Sequence, residues 1–143
     1  MTDADGKPIV FAVEDEAIIA LDLADLLDEL GYRVQGPFST VESALAHLKN
    51  LNAVPDAAPD AAIVDVNLGG VSAKPVVEAL RARDVPLVLA SGYERAELAQ
   101  FGLDDEPILR KPYKAEEVQQ ALMETAGLPA RMPQPGALKQ PDL

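Results

Sequence analysis

A chain of 143 residues has room for one domain with a real core and is too short for two of ordinary size. Its 24 acidic against 12 basic side chains leave a formal net charge of -12, which disfavours nucleic acid and anionic membranes as partners. With no cysteine, disulfides, thiolate metal sites and cysteine nucleophiles are excluded, while 48% hydrophobic and 25% charged residues give the balance of a soluble globular domain. The N-terminus, Met1 to Lys7, is polar and acidic where a secretory signal is basic and then apolar. No run approaches the roughly 18 apolar residues of a membrane span, so a soluble cytoplasmic protein is expected.

Pro8 to Val13 is a continuous apolar run closed by Glu14-Asp15-Glu16, the pattern of a strand covered on both faces. From Ala17 to Leu30 the apolar residues Ile19, Leu23, Leu26, Leu27 and Leu30 recur at helical spacing, and Gly31 stops the helix. Tyr32 to Gly36 reads as a short strand near a sheet edge. Ser39 and Glu42 have capping-box spacing ahead of a second helix built on Val41, Ala44, Leu45 and Leu48. The one histidine, His47, falls in that segment and reads as a helix-surface residue.

Asn52 to Pro59, with two prolines, is a connecting loop. Ala62, Ile63 and Val64 then run into Asp65, and Asn67-Leu68-Gly69-Gly70 breaks the run, so Asp65 stands at the carboxyl end of a buried strand. A third helix starts near Ser72 to Pro75 and continues through Val76, Val77 and Leu80 to Arg83. Val85 to Ala90 is a fourth strand, followed by Ser91-Gly92-Tyr93. Glu94 to Phe101 is helix-compatible though thinly apolar, and Pro107 to Pro112 is a fifth strand. Ala115 to Ala126, with Val118, Ala121 and Leu122 inward and Gly127 as its stop, is the last helix. The domain therefore spans residues 8–127, between an extension over 1–7 and a proline-rich, disordered tail over 128–143. Five strands alternating with five helices predict an α/β fold with a five-stranded parallel, doubly wound sheet and right-handed crossovers.

In such a sheet the carboxyl ends of the strands share one edge, where sites lie. Glu14 and Asp15, Asp65, Ser91 and Lys111 each follow a different strand there. Two carboxylates 4 Å apart cost on the order of 4 kcal/mol at an effective dielectric near 20, so an acid cluster of this kind raises its own pKa values or recruits a cation. Mg²⁺ suits it, with its preference for hard oxygen ligands and its ability to bridge carboxylate and phosphate. These parts describe phosphoryl transfer onto a carboxylate: Asp65 as nucleophile, Mg²⁺ and Lys111 facing the phosphoryl oxygens, and the Ser91 hydroxyl bonded to one of them. Singly each signal is weak, since the acids could form a helix-start charge patch, Ser91-Gly92 a turn and Lys111-Pro112 a surface loop. Jointly, in this order, they are specific.

Over residues of about 8 to 126 the sequence resembles the receiver domain of two-component response regulators, carried by Glu14-Asp15, Asp65 in Asp-Val-Asn-Leu, Ser91 and Lys111-Pro112. Pro86-Leu87-Val88-Leu89-Ala90-Ser91-Gly92-Tyr93 is similar to the signature of the alphaproteobacterial "FAT GUY" receivers, several of them free-standing. The resemblance implies the flavodoxin-like (βα)5 fold, and Mg²⁺ held by the acidic pair Glu14-Asp15, by Asp65 and by the Asn67 carbonyl. It also implies a cis Lys111-Pro112 peptide and phosphorylation of Asp65 by a sensor histidine kinase of the HWE or HisKA2 type. Helix one and the Lys111-Pro112-Tyr113 loop would face the kinase. Output would pass by phosphorylation-dependent protein binding, by phosphorelay, or through a homodimer. Many receivers carry an inward-swinging aromatic three residues before the lysine; here that position is Ile108, so Tyr93 and Tyr113 are the candidates for gating or docking. With no output domain expected after Gly127, the reading is a single-domain response regulator and not an enzyme. A phosphorylation-independent interaction module is the alternative. A phosphatase-type hydrolase lacks its second acid at Asn67.

Overall fold

The computed structural model describes residues 6–53, 57–92, 98 and 107–128. In chain order the elements are β1 (Ile9–Val13), α1 (Ala17–Glu29), β2 (Arg33–Phe38), α2 (Val41–Asn50) and a 3-10 turn (Leu51–Ala53). They continue with β3 (Ala61–Asp65), the two-residue strands β4 (Asn67–Leu68) and β5 (Val71–Ser72), α3 (Lys74–Ala82), β6 (Leu87–Ser91), β7 (Ile108–Arg110) and α4 (Ala115–Ala126). The helix expected over Glu94 to Phe101 and the proline-rich tail beyond Leu128 lie outside the described residues, apart from the helical, fully buried Leu98.

Five strands form one sheet in the order β2-β1-β3-β6-β7, every pairing parallel. This is the flavodoxin-like receiver fold, and β1, β3 and β6 are buried along their whole length, which is why they read as unbroken apolar runs. Side chains alternate between two cores. Phe11, Val13, Ala62 and Val64 pack with Val41, Ala44 and Leu48 of α2 and with Val76, Val77 and Leu80 of α3. Their neighbours Val10, Ala12, Ala61 and Ile63 pack on the other face with Leu23 and Leu27 of α1 and Val118 and Leu122 of α4. The period of two along the strands and of 3.6 along the helices thus meet in a three-layer sandwich.

Four local details differ from the sequence expectation. Strand β2 runs on to Phe38 instead of ending at Gly36, because Gly36 adopts φ 99° at a register shift opposite Phe11 and Val13, and the chain stays extended through Pro37. A Cβ on Gly36 would stand 2.7 Å from the Ala12 carbonyl oxygen, so no other residue fits there without displacing backbone. Helix α2 is capped by Thr40 and Ser43, one residue later than the Ser39–Glu42 spacing suggests: Thr40 Oγ1 accepts from Ser43 N at 3.0 Å and Ser43 Oγ from Thr40 N at 3.3 Å. His47 is no free surface residue, for its ring lies 4.8 Å from Phe38 and 5.9 Å from Phe11, centroid to centroid. Its Nε2 is 3.0 Å from Gln35 Oε1, and burial lowers its pKa. The loop after Asp65 contains the antiparallel β4–β5 ladder, pairing Asn67 with Ser72 and Leu68 with Val71.

Candidate functional site

Register alone gathers the predicted residues. Val13 pairs with Val64, so Glu14 and Asp65 leave the sheet side by side; Asp65 pairs with Ala90, and Ser91 with Arg110, which puts Ser91 and Lys111 one step further along the same edge. Backbone bonds fix the rim: Glu14 N donates to Phe38 O at 2.9 Å, Val66 N to Ala90 O at 3.2 Å and Lys111 N to Ser91 O at 2.9 Å. These strand ends are anchored by the buried runs behind them, so the side chains they carry are preorganised.

Lys111 Nζ bridges two buried acids, 2.8 Å from Glu14 Oε1 and 3.3 Å from Asp65 Oδ2. Glu14 and Asp65 are 2% and 5% exposed, so both carboxylates have lost most of their water. Asp15 completes the cluster: one carboxylate oxygen from each of Glu14, Asp15 and Asp65 lies within 4.8 Å of the others. Burial first, and then the Glu14 charge, push the Asp65 carboxyl up to about 7, while Lys111 offsets part of the rise. Burial by itself would depress the Lys111 ammonium, yet the hydrogen bond to Glu14 and the Asp65 and Glu14 charges outweigh it and leave its pKa raised. A site whose nucleophile is half protonated near neutrality carries more negative charge than one ammonium balances. Three converging carboxylates of this kind fit a small, hard divalent cation, which restores the balance with oxygen ligands alone.

An open cavity of about 420 Å³ lies over the cluster, walled by Asp15, Asp65, Asn67, Gly69, Gly92 and Lys111. Asn67 N donates to Asp65 Oδ1 at 3.3 Å, and the Asn67 side-chain oxygen accepts from Gly70 N at 2.6 Å, which folds the β4–β5 turn back beside the acids. The turn comes close enough that a Cβ at Gly69 would be 3.8 Å from Asp15 Oδ2. Ser91 arrives at the same edge, 2% exposed, with Gly92 forming the cavity wall beyond it. The Lys111-Pro112 peptide is cis, as is Gly36-Pro37. Ile108 is half-buried against the core with no aromatic ring to swing. Tyr93 lies outside the described residues, whereas Tyr113 is half-buried beside Lys111.

Two features escaped the sequence reading. One is the β4–β5 ladder, whose signal was the Gly69-Gly70 pair between Leu68 and Val71, a two-residue hairpin turn. The other is a second cavity, about 390 Å³, between α1 and the loop after β7, lined by Ile19, Asp22, Leu26, Lys111, Pro112 and Tyr113. Lys111 belongs to both cavities, and no periodicity announces that.

Comparison with known proteins gives a consistent picture. The chain matches the model of the response regulator receiver domain over residues 10–123. It is 30% identical over 139 residues to the sensor protein GacS of Pseudomonas syringae pv. syringae, covering 90% of this chain and 14% of that protein's length. A response regulator receiver protein from Sinorhizobium medicae superposes with a TM-score of 0.72 at 26% identity, over 90% of this chain and 99% of that one. The receiver domain of the sensor histidine kinase PA1611 from Pseudomonas aeruginosa, solved with a magnesium ion in its active-site cleft, shares the fold. Its TM-score is 0.71 at 22% identity, over 85% of this chain and 98% of that one.

Proposed function

Since this chain belongs to the response regulator receiver domain family, we propose that it takes a phosphoryl group onto Asp65 from the phosphohistidine of a sensor kinase, in a step that needs Mg²⁺. The observation that carries the reading is the Lys111 ammonium seated between Glu14 and Asp65 beside an open acidic cavity. Glu14, Asp15, Asp65 and the Asn67 carbonyl would hold the cation. When bound, it neutralises the carboxylates and the phosphoryl oxygens that approach them.

The remaining chemistry belongs to the chain. With its proton gone, an Asp65 carboxylate oxygen attacks phosphorus; the bond from phosphorus to the donor nitrogen breaks, and its electron pair stays on that nitrogen. The Lys111 ammonium turns from the carboxylates toward the phosphoryl oxygens, and the Ser91 hydroxyl donates to one of them. Glycines at 69 and 92 leave the cavity open to the incoming group. The donor protein docks on α1, where Ile18 and Leu21 are 75% and 66% exposed beside the cavity lined by Ile19 and Leu26. Exposed large apolar side chains grouped in this way mark an interaction surface.

The reading is tested by labelling the chain with phosphoramidate and Mg²⁺, reducing the acyl phosphate with borohydride and mapping peptides by mass. Homoserine at position 65 is the expected product. Label at any other residue, or an unlabelled chain that nevertheless binds Mg²⁺, contradicts it.

A further inference from the structure

Tyr113 combines features that the phosphoacceptor chemistry leaves unused. Its ring packs against the core formed by α1 and α4, yet its hydroxyl oxygen is buried with no hydrogen-bond partner among the described residues. Leaving such a hydroxyl unpaired costs roughly 1–3 kcal/mol, so a conformation or complex that supplies an acceptor is favoured by a comparable amount. Burial, with the charges of Glu14, Asp65 and Asp22, raises the phenol pKa, so the hydroxyl keeps its proton and serves as a donor. The residue also walls the cavity that shares Lys111 with the acid cluster.

We propose that Tyr113 is a specificity-determining residue for the protein phosphodonor, its hydroxyl reserved for a neutral oxygen acceptor that arrives when a donor helix seats an apolar side chain between Ile19, Leu26 and Pro112. This rests on the docking reading above and adds to it the chemistry of the occupant. The cavity's lining is apolar apart from Asp22 and Lys111, and Lys111 is engaged by Glu14 and Asp65. Asp22 and Asp25 flank it on the exposed face of α1, and the whole chain carries a net charge of -12. A carboxylate is therefore rejected as the acceptor, and a backbone carbonyl or carboxamide on a helix with basic flanks is selected. Continuity with the reaction site supplies the geometry: whatever fills this cavity touches the lysine that faces Asp65.

The test compares two phosphodonors on the full chain. Purified histidine kinases, autophosphorylated with labelled ATP, are screened against the wild type, and the fastest donor is kept; phosphoramidate serves as the small donor. In Tyr113→Phe the ratio of kinase-driven to phosphoramidate-driven labelling falls about tenfold, as expected from one lost hydrogen bond at about 1.4 kcal/mol per tenfold. Tyr32→Phe removes the same atom from a buried tyrosine elsewhere and leaves the ratio unchanged. The thermal midpoint of Tyr113→Phe equals or exceeds that of the wild type, since an unpaired donor has been deleted. A ratio unchanged in Tyr113→Phe, or a midpoint several degrees lower, overturns the assignment to Tyr113. Failure of every kinase to label a wild type that phosphoramidate does label overturns the docking reading beneath it.

Discussion

Asp65 is the residue on which the local electrostatics converge. Its carboxyl sits near pH 7 because burial and Glu14 disfavour the ionised form. The unfolded chain releases that proton near pH 4, so between about pH 4 and 7 the folded, metal-free protein binds more protons than the unfolded one, and its stability falls as pH rises through that window. Chemical denaturation at pH 5 and pH 7.5 in EDTA should show the lower stability at pH 7.5, and excess Mg²⁺ should remove most of the difference. Asp65→Asn deletes one charge while Lys111 keeps its 2.8 Å contact with Glu14, so it should stabilise the metal-free fold by on the order of 1 kcal/mol. Calorimetry checks this; a lower midpoint for Asp65→Asn would mean that the attraction to Lys111 outweighs the repulsion from Glu14. Which residues meet at this site was legible because each follows an apolar run that could only be a strand. How far Asp65 is perturbed was not, since that depends on burial and on which acid Lys111 approaches most closely.

At the scale of elements, the apolar runs and the 3.6-residue periods carried the reading, and its errors fall where side chains compete locally. Ser39, Thr40, Glu42 and Ser43 all suit a helix start, and only the extended backbone of Thr40 decides between them. Thr40→Ala should cost about 1 kcal/mol by urea denaturation, whereas Ser39→Ala should change little. His47 shares the pattern of an amphipathic helix flank, yet the rings of Phe11 and Phe38 reach it from strands far off in sequence. Helix α1 does two jobs on separate faces, with Leu23 and Leu27 in the core and Ile18 and Leu21 outward. Leu21→Lys should therefore fold with unchanged helicity by circular dichroism and accept phosphate from a kinase at least tenfold more slowly, because a docking face has lost its apolar anchor. The same rate as the wild type would remove α1 from the donor interface.

For the whole molecule, topology is the inference that sequence supports best. A right-handed parallel β/α succession leaves few sheet orders open, and the order seen places β1 and β3 side by side at the centre, so their acids cannot avoid one another. What sequence hides is the pair of cavities joined by Lys111, because they are made by the approach of α1, the β4–β5 turn and the loop after β7. The net charge of -12 acts at this scale too. Self-repulsion is screened by salt, so the thermal midpoint should rise as sodium chloride goes from low concentration to about 0.5 M, where the Debye length is only a few ångströms. A midpoint that falls over that range would mean that attractive pairs such as Lys111–Glu14 dominate the response instead.

The central claim is that Asp65 is a phosphoacceptor assisted by a divalent cation, and intact mass after incubation with phosphoramidate tests it most directly. The wild type and Asp65→Asn are each treated with Mg²⁺ and with EDTA. The account predicts one added phosphoryl group in the wild type with Mg²⁺ and none in the other three samples. Equal labelling of Asp65→Asn, or labelling of the wild type that survives EDTA, would contradict it.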